Sequence, residues 1–273
     1  MTRLAVTTGL DAWDIPALRF GVAGLLMLPI VIQHGLAFDR LGRSGLAGLI
    51  VGTGAPYALV VAMGLRFAPA YDAGALNPGC MPLFVALIVA TGGMERFSGA
   101  QKFGLSFIFV GALLIVGWHG SSWSISRGIG DFLFLFASFL TACYTVVLRR
   151  AKLNPVHAAA LVSTGSLVIY APVYLALRGV HLAGVPPVEL IVQVIFQGIV
   201  VTIISLVLYA RAVAILGASS ASALGALVPA LSALFAIPLL NEWPTILGWI
   251  AIALITGGVY LASRGPSERT ISN

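Results

Sequence analysis

Two prolines and a few polar side chains interrupt long apolar stretches of this sequence, where such residues are costly. Pro82 and Pro229 each lie in such a stretch, and a proline inside a helix frees a backbone carbonyl that hydrocarbon cannot satisfy. Asn77 lies about one helical turn from Pro82, while Gln197 and Tyr209 share another stretch. Polar groups inside a membrane face the bundle or a water-filled cavity, so these residues indicate a pathway for a small solute. Packing kinks and interhelical hydrogen bonds are the alternative explanation.

Two further residues are candidates for this pathway, and two carboxylates are candidates for gating or coupling. Arg19 lies four residues into its apolar stretch, where it either reaches the membrane surface or faces a cavity. Tyr57, in a glycine-rich stretch, lines a cavity or sits in a tight contact. Glu95 and Glu242 end their stretches, where a carboxylate opposes the helix dipole and needs a partner such as a nearby helix N-terminus. Structural anchoring is the first interpretation of both, and gating or proton coupling is the second.

Groups that catalyse reactions or bind metals do not converge in the sequence. Acidic side chains lie at or beyond the ends of the apolar stretches, and no histidine lies in the middle of one. Cys80 and Cys143 form no CxxC or Cys/His pattern. The sequence therefore predicts no catalytic residues, no metal site and no cofactor, which makes a membrane-embedded enzyme a weak alternative.

The composition excludes a soluble protein. The chain has 273 residues, of which 59% are apolar and only 9% are charged, and its mean hydropathy is +1.03. Soluble domains carry about 25% charged residues, so a soluble globule, a disordered chain and a coiled coil are excluded. The Lys and Arg residues form no basic face, so the pI of 9.7 does not indicate a nucleic-acid partner. The sequence predicts an integral membrane protein in a lipid bilayer.

Nine stretches are long and apolar enough to cross a membrane as helices, which need about 17–25 residues. They are residues 15–31, 45–65, 73–92, 103–118, 130–148, 158–177, 188–209, 216–240 and 246–261. Some of these stretches are apolar on every face, whereas the strands of a membrane barrel alternate apolar and polar residues. The predicted fold is therefore an all-α bundle. Ten Lys and Arg residues fall on one side of the membrane and four on the other. This bias predicts a cytoplasmic tail at residues 264–273.

The sequence contains an internal repeat. A shift of 147 residues places Pro82 on Pro229 and Glu95 on Glu242. We therefore predict a first repeat over residues 1–118 with four spans and a second over residues 130–263 with five. Because five is odd, complete halves cross the membrane in opposite senses, which is an architecture of secondary transporters. The first half lacks a counterpart of the span 130–148, and Thr2-Arg3-Leu4-Ala5 looks like the tail of that missing helix.

These features also carry a resemblance to a known family. Over essentially the whole chain, the sequence resembles the EamA-like branch of the drug/metabolite transporter superfamily. The resemblance rests on the order and recurrence of Ala17-Leu18-Arg19-Phe20, Pro82, Met94-Glu95-Arg96, Gly104 and Gly111 in one half, and of Gly130-Asp131, Tyr144, Leu216-Gly217-Ala218, Pro229, Glu242 and Gly248 in the other. It implies ten helices in two inverted repeats, a cavity-facing Arg19, and movement of small metabolites, often outward. This chain departs from the family in lacking the first helix.

The resulting functional prediction is a secondary transporter in the cell membrane. We expect it to move a small metabolite, amino-acid-like or otherwise polar or amphipathic, by alternating access between the two repeats, with export the expected direction. The expected partners are the small-molecule substrate and the lipid bilayer. Small residues at Gly48 and Gly52, and at Ala218, Ser222 and Ala226, predict close helix packing, with a homodimer as the weaker interpretation. A non-transporting membrane bundle is the remaining alternative.

Overall fold

Most of the protein is helical. Its structure is a computed structural model. The described residues are 2–8, 10–91, 97–117, 124–179, 186–205, 208 and 225–263, and helices make up 89% of them, with no strand in that part of the chain. The helices are α1 (Thr2–Thr8), α2 (Asp14–His34), α3 (Phe38–Thr53), α4 (Ala55–Phe67), α5 (Ala70–Thr91), α6 (Gly99–Gly117), α7 (Ile125–Ala151), α8 (Pro155–Arg178), α9 (Pro187–Gln193), the π-helical α10 (Val194–Ile204), α11 (Val228–Leu240) and α12 (Ile246–Ser263).

Each of the nine predicted stretches contains an apolar helix. Seven helical segments in the described residues have the length and composition of a membrane span. Two shorter apolar helices, Leu190–Ile204 and Val228–Leu240, correspond to the predicted stretches 188–209 and 216–240. The all-α membrane fold is therefore confirmed. Residues 206–207 and 209–224, which belong to those two stretches, lie outside the described residues.

Large apolar side chains face outward on the long helices, as they do in a protein surrounded by lipid. Ile32 on α2 is 74% exposed, Phe103 on α6 is 67% exposed and Val168 on α8 is 66% exposed. A soluble monomer rarely exposes so much contiguous apolar surface. The exposed surface therefore agrees with the membrane location that the composition predicts.

The chain divides into two compact units. Unit 1 consists of Met1–Phe67 and Leu140–Ala210, and unit 2 consists of Ala68–Phe139 and Arg211–Asn273. Each unit thus contains helices from both predicted repeats, 1–118 and 130–263, and α7 contributes to both units. The predicted repeats follow the order of the sequence, whereas each compact unit contains helices from both of them.

In unit 1, the repeat-related helices α2 and α8 pack closely and antiparallel. A Cβ added to Gly24 would lie only 2.7 Å from the Leu167 Cβ, so only glycine allows this approach. The Tyr174 hydroxyl donates to Asp14 at one end of the pair, and His157 Nε2 lies 2.9 Å from the Gly35 carbonyl oxygen at the other. The early part of α2 therefore meets the late part of α8.

The span predicted at residues 45–65 breaks at Gly54, between α3 and α4. The Ala55 amide at the break donates to Ser166 Oγ on α8 over 3.0 Å, which satisfies a backbone group that would otherwise be exposed to hydrocarbon. Gly52, just before the break, packs against α7, where an added Cβ would lie 2.6 Å from the Tyr144 Cβ. This contact agrees with the close packing predicted for Gly52, whereas a Cβ at Gly48 would make only an ordinary contact, 3.6 Å from Val147 Cγ2.

In unit 2, two further pairs of repeat-related helices pack antiparallel. On α6 and α12, a Cβ at Gly104 would lie 2.6 Å from the Gly258 carbonyl oxygen, and a Cβ at Gly111 would lie 2.9 Å from the Ala251 oxygen. On α5 and α11, Gly74 faces Ser232, while Gly79 faces Pro229. Small residues thus allow backbones to approach in both pairs, as is typical of membrane helices.

Candidate functional site

Arg19 is a charged residue within a membrane helix of unit 1. It lies in the second turn of α2, where its Nε donates to Thr202 Oγ1 on α10 over 3.2 Å. Its guanidinium carbon lies 5.3 Å from the centroid of the Phe20 ring, a distance that permits a cation–π interaction. Tyr57 on α4 is the one titratable side chain that acts on it electrostatically within the described part of the chain. Three elements of unit 1 therefore meet at this arginine.

The π-helical α10 positions the hydroxyl that Arg19 contacts. Thr202 Oγ1 donates to the backbone oxygen of Gln197, five residues earlier, over 2.9 Å. Backbone hydrogen bonds in a π-helix have this five-residue span, and such segments are frequent at functional sites. Gly198 lets α10 approach α2, because a Cβ there would lie 2.8 Å from the Val22 Cβ. The local π geometry thus directs Thr202 toward α2.

Two buried glutamine amides lie on the helical segment that supplies Thr202. Gln197 is 2% exposed, and its Nε2 donates to Thr2 Oγ1 on α1 over 2.8 Å. Gln193, one turn earlier, is 4% exposed, and its Oε1 has no hydrogen-bond partner among the residues that the structure describes. An acceptor buried in this way calls for a donor from water or from a solute. We define the Arg19 group as Arg19, Tyr57, Gln197 and Thr202.

Charged residues at the helix ends of unit 1 pair with one another. Asp11 accepts from Arg66 at the end of α4 over 2.8 Å, and it also forms an ion pair with Arg178 at the end of α8. Asp14 accepts from the Asp11 amide over 2.7 Å and from the Tyr174 hydroxyl over 2.6 Å. These contacts join the ends of α2, α4 and α8, so their role is to hold the helices together.

Unit 2 contains a separate polar group, which we call the Asp72 cluster and define as Tyr71, Asp72, Arg127 and Asp131. Arg127 in the first turn of α7 donates to Asp72 Oδ2 from Nε over 3.1 Å and from Nη2 over 2.7 Å. Its Nη2 also donates to the Tyr71 hydroxyl over 2.9 Å. Asp72 on α5 is buried. Asp131, which lies one turn after Arg127 on α7, is also buried. The arginine in this cluster therefore has an internal carboxylate as its counter-ion.

Glu242, which follows α11, binds the N-terminus of another helix. Its Oε2 accepts from the Ala70 amide at the start of α5 over 2.6 Å. A carboxylate at a helix N-terminus satisfies an unpaired amide and interacts favourably with the helix dipole. This contact is of the kind that an anchoring role requires, and the choice between anchoring and gating or coupling stays a prediction. Glu95 lies outside the described residues.

The remaining predicted pathway residues belong to unit 2. Pro82 lies inside α5 together with Pro78, and Asn77 precedes both. Pro229 lies in the first turn of the described helix α11, where proline costs little because that amide has no helical partner. An added Cβ at Gly79 would lie 3.5 Å from Pro229 Cγ, so α5 and α11 meet near both prolines.

The structure brings Arg19, Tyr57 and Gln197 into one group, and it places Asn77, Pro82 and Pro229 in the other unit. Tyr209 lies outside the described residues. The sequence analysis missed Thr202, because its five-residue separation from Gln197 corresponds to about 140° around an ideal α-helix. In a π-helix, residues five apart lie close to the same face, because its hydrogen bonds span five residues. The sequence carries no signal for this π-helix. It also missed the contact between Asp72 and Arg127, which are 55 residues apart in the chain.

Comparison with known proteins identifies the family. The sequence model of the EamA-like transporter family matches residues 128–264, which is half of the chain. The chain belongs to the EamA-like transporter family. One solved structure, described only as "Crystal structure of protein", resembles this chain with a TM-score of 0.60 at 22% identity. The similarity covers 95% of this chain and 90% of that one, so the two share a fold. No curated protein matches the sequence.

This EamA-like transporter is thus a membrane transporter of the drug/metabolite type. Within the described residues, no three His, Cys, Asp or Glu side chains are grouped so as to hold a metal ion. A cavity of about 630 Å³ in unit 1 is lined by residues that include His34, Arg40 and His157. His34 lies fifteen residues after Arg19 on α2, or about 22 Å along an ideal helix, so this cavity is separate from the Arg19 group.

Proposed function

We propose that this EamA-like transporter is a secondary transporter that exports a small metabolite across the cell membrane by alternating access. The solute is amino-acid-like or otherwise polar or amphipathic. The observation that carries the proposal is the antiparallel packing of repeat-related helices, α2 with α8, α5 with α11 and α6 with α12. Helices related by an inverted repeat run in opposite directions, and transporters with such repeats alternate by moving one bundle against another.

Each unit, taken by itself, contains polar residues that we propose as solute contacts. Unit 1 contributes Arg19, Tyr57 and Gln197, which the structure groups together, and unit 2 contributes Asn77 next to the prolines of α5. The hydrogen bond from Gln197 to Thr2 favours a packing role for part of that amide. We therefore assign the solute contact chiefly to Arg19 and Tyr57, and we place Gln197 beside it as the residue that positions Thr202.

We propose that the solute follows its own gradient, with weak or no proton coupling. Proton-coupled transporters commonly use intramembrane Asp, Glu and His relays. In this protein the buried Asp72 lies in the first turn of α5 and is bound by Arg127, while Glu242 binds the start of α5. These carboxylates are held at helix ends by structural partners, which argues against their carrying protons through the membrane.

We propose a cytoplasmic location for the tail at residues 264–273, because the cation bias favours that orientation. A fluorescent protein fused after Asn273 should then fold and fluoresce. If an alkaline phosphatase fused at the same point were active, the tail would lie outside the cytoplasm and the proposed orientation would be wrong.

The transport proposal is tested with the purified protein in proteoliposomes loaded with a panel of labelled metabolites. We expect saturable efflux of at least one solute down its gradient, compared with empty liposomes, and no accumulation when only a pH gradient is imposed. Asn77→Ala should fold and raise the KM, since it removes a solute contact. Absence of flux for every solute would overturn the transport proposal. Tight proton-driven accumulation would overturn only the uncoupled mechanism.

A further inference from the structure

Arg19 has more hydrogen-bond donors than the described residues use. A guanidinium has five N–H groups, and the described residues supply one hydrogen bond to it, from Nε to Thr202 Oγ1. In the described part of the chain, no carboxylate forms an ion pair with Arg19. Residue Arg19 as a whole is partly exposed rather than buried.

Three other arginines of unit 1 have different partners. Arg66 and Arg178, at the ends of α4 and α8, both pair with Asp11, and Arg3 donates to the Leu65 carbonyl oxygen. An arginine within a membrane helix is expensive, at about 2.5–3.5 kcal/mol near the helix centre on insertion scales, and such residues are usually functional. Retaining Arg19 without a counter-ion among the described residues is the basis for assigning it an external anion.

The surroundings of Arg19 favour a carboxylate as that anion. A single guanidinium balances one negative charge and matches the planar fork of a carboxylate with two parallel hydrogen bonds. A phosphate group would bring a larger charge, yet the titratable side chain near Arg19 in the described residues is Tyr57 rather than a second cation. The neutral hydroxyls of Thr202 and Tyr57 add polar contacts without adding charge.

A second observation, where α9 meets α10, points to a ligand of unit 1. The buried Gln193 Oε1 lacks a donor among the described residues, one helical turn from Gln197, whose backbone oxygen Thr202 contacts. An unsatisfied acceptor on the helical segment that supplies Thr202 suits a solute with a carboxylate at one end and an N–H or O–H donor elsewhere.

We infer that Arg19 binds the carboxylate of the transported solute and is the residue that selects small monocarboxylates. This inference rests on the proposed transport function, because it assigns the charge of the solute in the same pathway. Thr202 is a positioning residue, since its hydroxyl holds the guanidinium through Nε and leaves the outer nitrogens for the solute.

The test compares matched solutes that differ only in charge. The full chain, purified in an uncharged detergent, is unfolded thermally with leucine or leucinamide, butyrate or butyramide, and acetate or acetamide. A ligand that binds only the folded state raises the unfolding temperature according to its affinity. We expect at least one carboxylate to bind about tenfold or more tightly than its amide, since a hydrogen bond to a charged group contributes about 1.5–3 kcal/mol.

Three variants assign that preference to Arg19. Arg19→Gln should abolish the preference for the carboxylate, and Arg19→Lys should keep it in weaker form, because lysine retains the charge without the planar fork. Arg43→Gln, at an exposed position on α3, is the matched control and should behave as the unmodified protein. If Arg19→Gln does not fold, the contrast between Arg19→Lys and Arg43→Gln remains measurable.

The inference is overturned if no carboxylate outperforms its amide, or if the preference survives in Arg19→Gln. Phosphatidylglycerol in place of the solutes is a third arm: stabilisation by this lipid alone, lost in Arg19→Gln, would assign the counter-ion to a lipid phosphate and overturn the solute assignment. Flux in proteoliposomes separates this inference from the transport proposal. Equal transport of acid and amide contradicts only the inference, while carboxylate binding without any flux contradicts only transport.

Discussion

Arg127 in unit 2 and Arg19 in unit 1 both lie in the first two turns of a membrane helix, but their charges have different counter-ions. Arg127 makes two hydrogen bonds to Asp72 and a third to Tyr71. Among the described residues, Arg19 makes one, to a neutral hydroxyl. A charge satisfied by the protein fixes helices in place, whereas a charge left for an outside partner is available for recognition. The contrast separates a stabilising arginine from a functional one.

The largest expected effect on stability is at the Asp72 cluster. Arg127→Gln leaves the buried Asp72 carboxylate without its counter-ion, and breaking a buried pair in this way costs about 3–5 kcal/mol. Arg19→Gln removes no ion pair and should cost less than about 1 kcal/mol. Reversible unfolding in mixed micelles measures both. Equal losses of stability in the two variants would remove the distinction between the two arginines.

A smaller effect is expected where helices of unit 2 pack through backbone contacts. Gly104→Ala places a Cβ 2.6 Å from both the Gly258 oxygen and the Ala262 nitrogen, which cannot move independently, so it should cost about 1–3 kcal/mol. Gly99→Ala on the same helix is the control, because nothing lies within 4 Å of its added Cβ. If both variants lose the same free energy of unfolding, the close backbone contact described between α6 and α12 is wrong.

The smallest of these stability effects concerns Glu242. Glu242→Ala removes the acceptor for the Ala70 amide and should cost about 0.5–2 kcal/mol, as the loss of a helix cap does. Transport measured in proteoliposomes should keep its KM if the carboxylate only anchors α5. A large loss of transport at unchanged stability would instead favour the gating or coupling role that the sequence left open.

The helices were predictable from sequence because a membrane span is a local property of length and hydropathy. The nine stretches therefore correspond to apolar helices, although the break at Gly54 and the π-helix at Val194–Ile204 depend on tertiary contacts that no local pattern encodes. At the break, the Ala55 amide donates to Ser166 Oγ, and the two residues are 111 positions apart in the chain.

The candidate site was predictable only in part. Arg19, Tyr57 and Gln197 stand out as polar residues in apolar stretches, and the structure groups them. Thr202 does not stand out, since threonine is common in membrane helices and its spacing from Gln197 fits no α-helical face. The assignment of Arg19 to an external anion required knowing which carboxylates lie near it, and long-range pairs such as Asp72 with Arg127 are set by the fold.

Giving Arg19 an internal carboxylate tests the central claim most directly. Thr202→Asp places a carboxylate at the position that now supplies a hydroxyl 3.2 Å from Arg19 Nε, which converts the site into one like that of Arg127. Thr202→Asn is the uncharged control of the same shape. We predict that Thr202→Asp unfolds at a temperature no lower than Thr202→Asn but loses carboxylate efflux about tenfold or more, because the new side chain occupies the guanidinium. Carboxylate efflux from Thr202→Asp with the KM and kcat of Thr202→Asn would contradict the account.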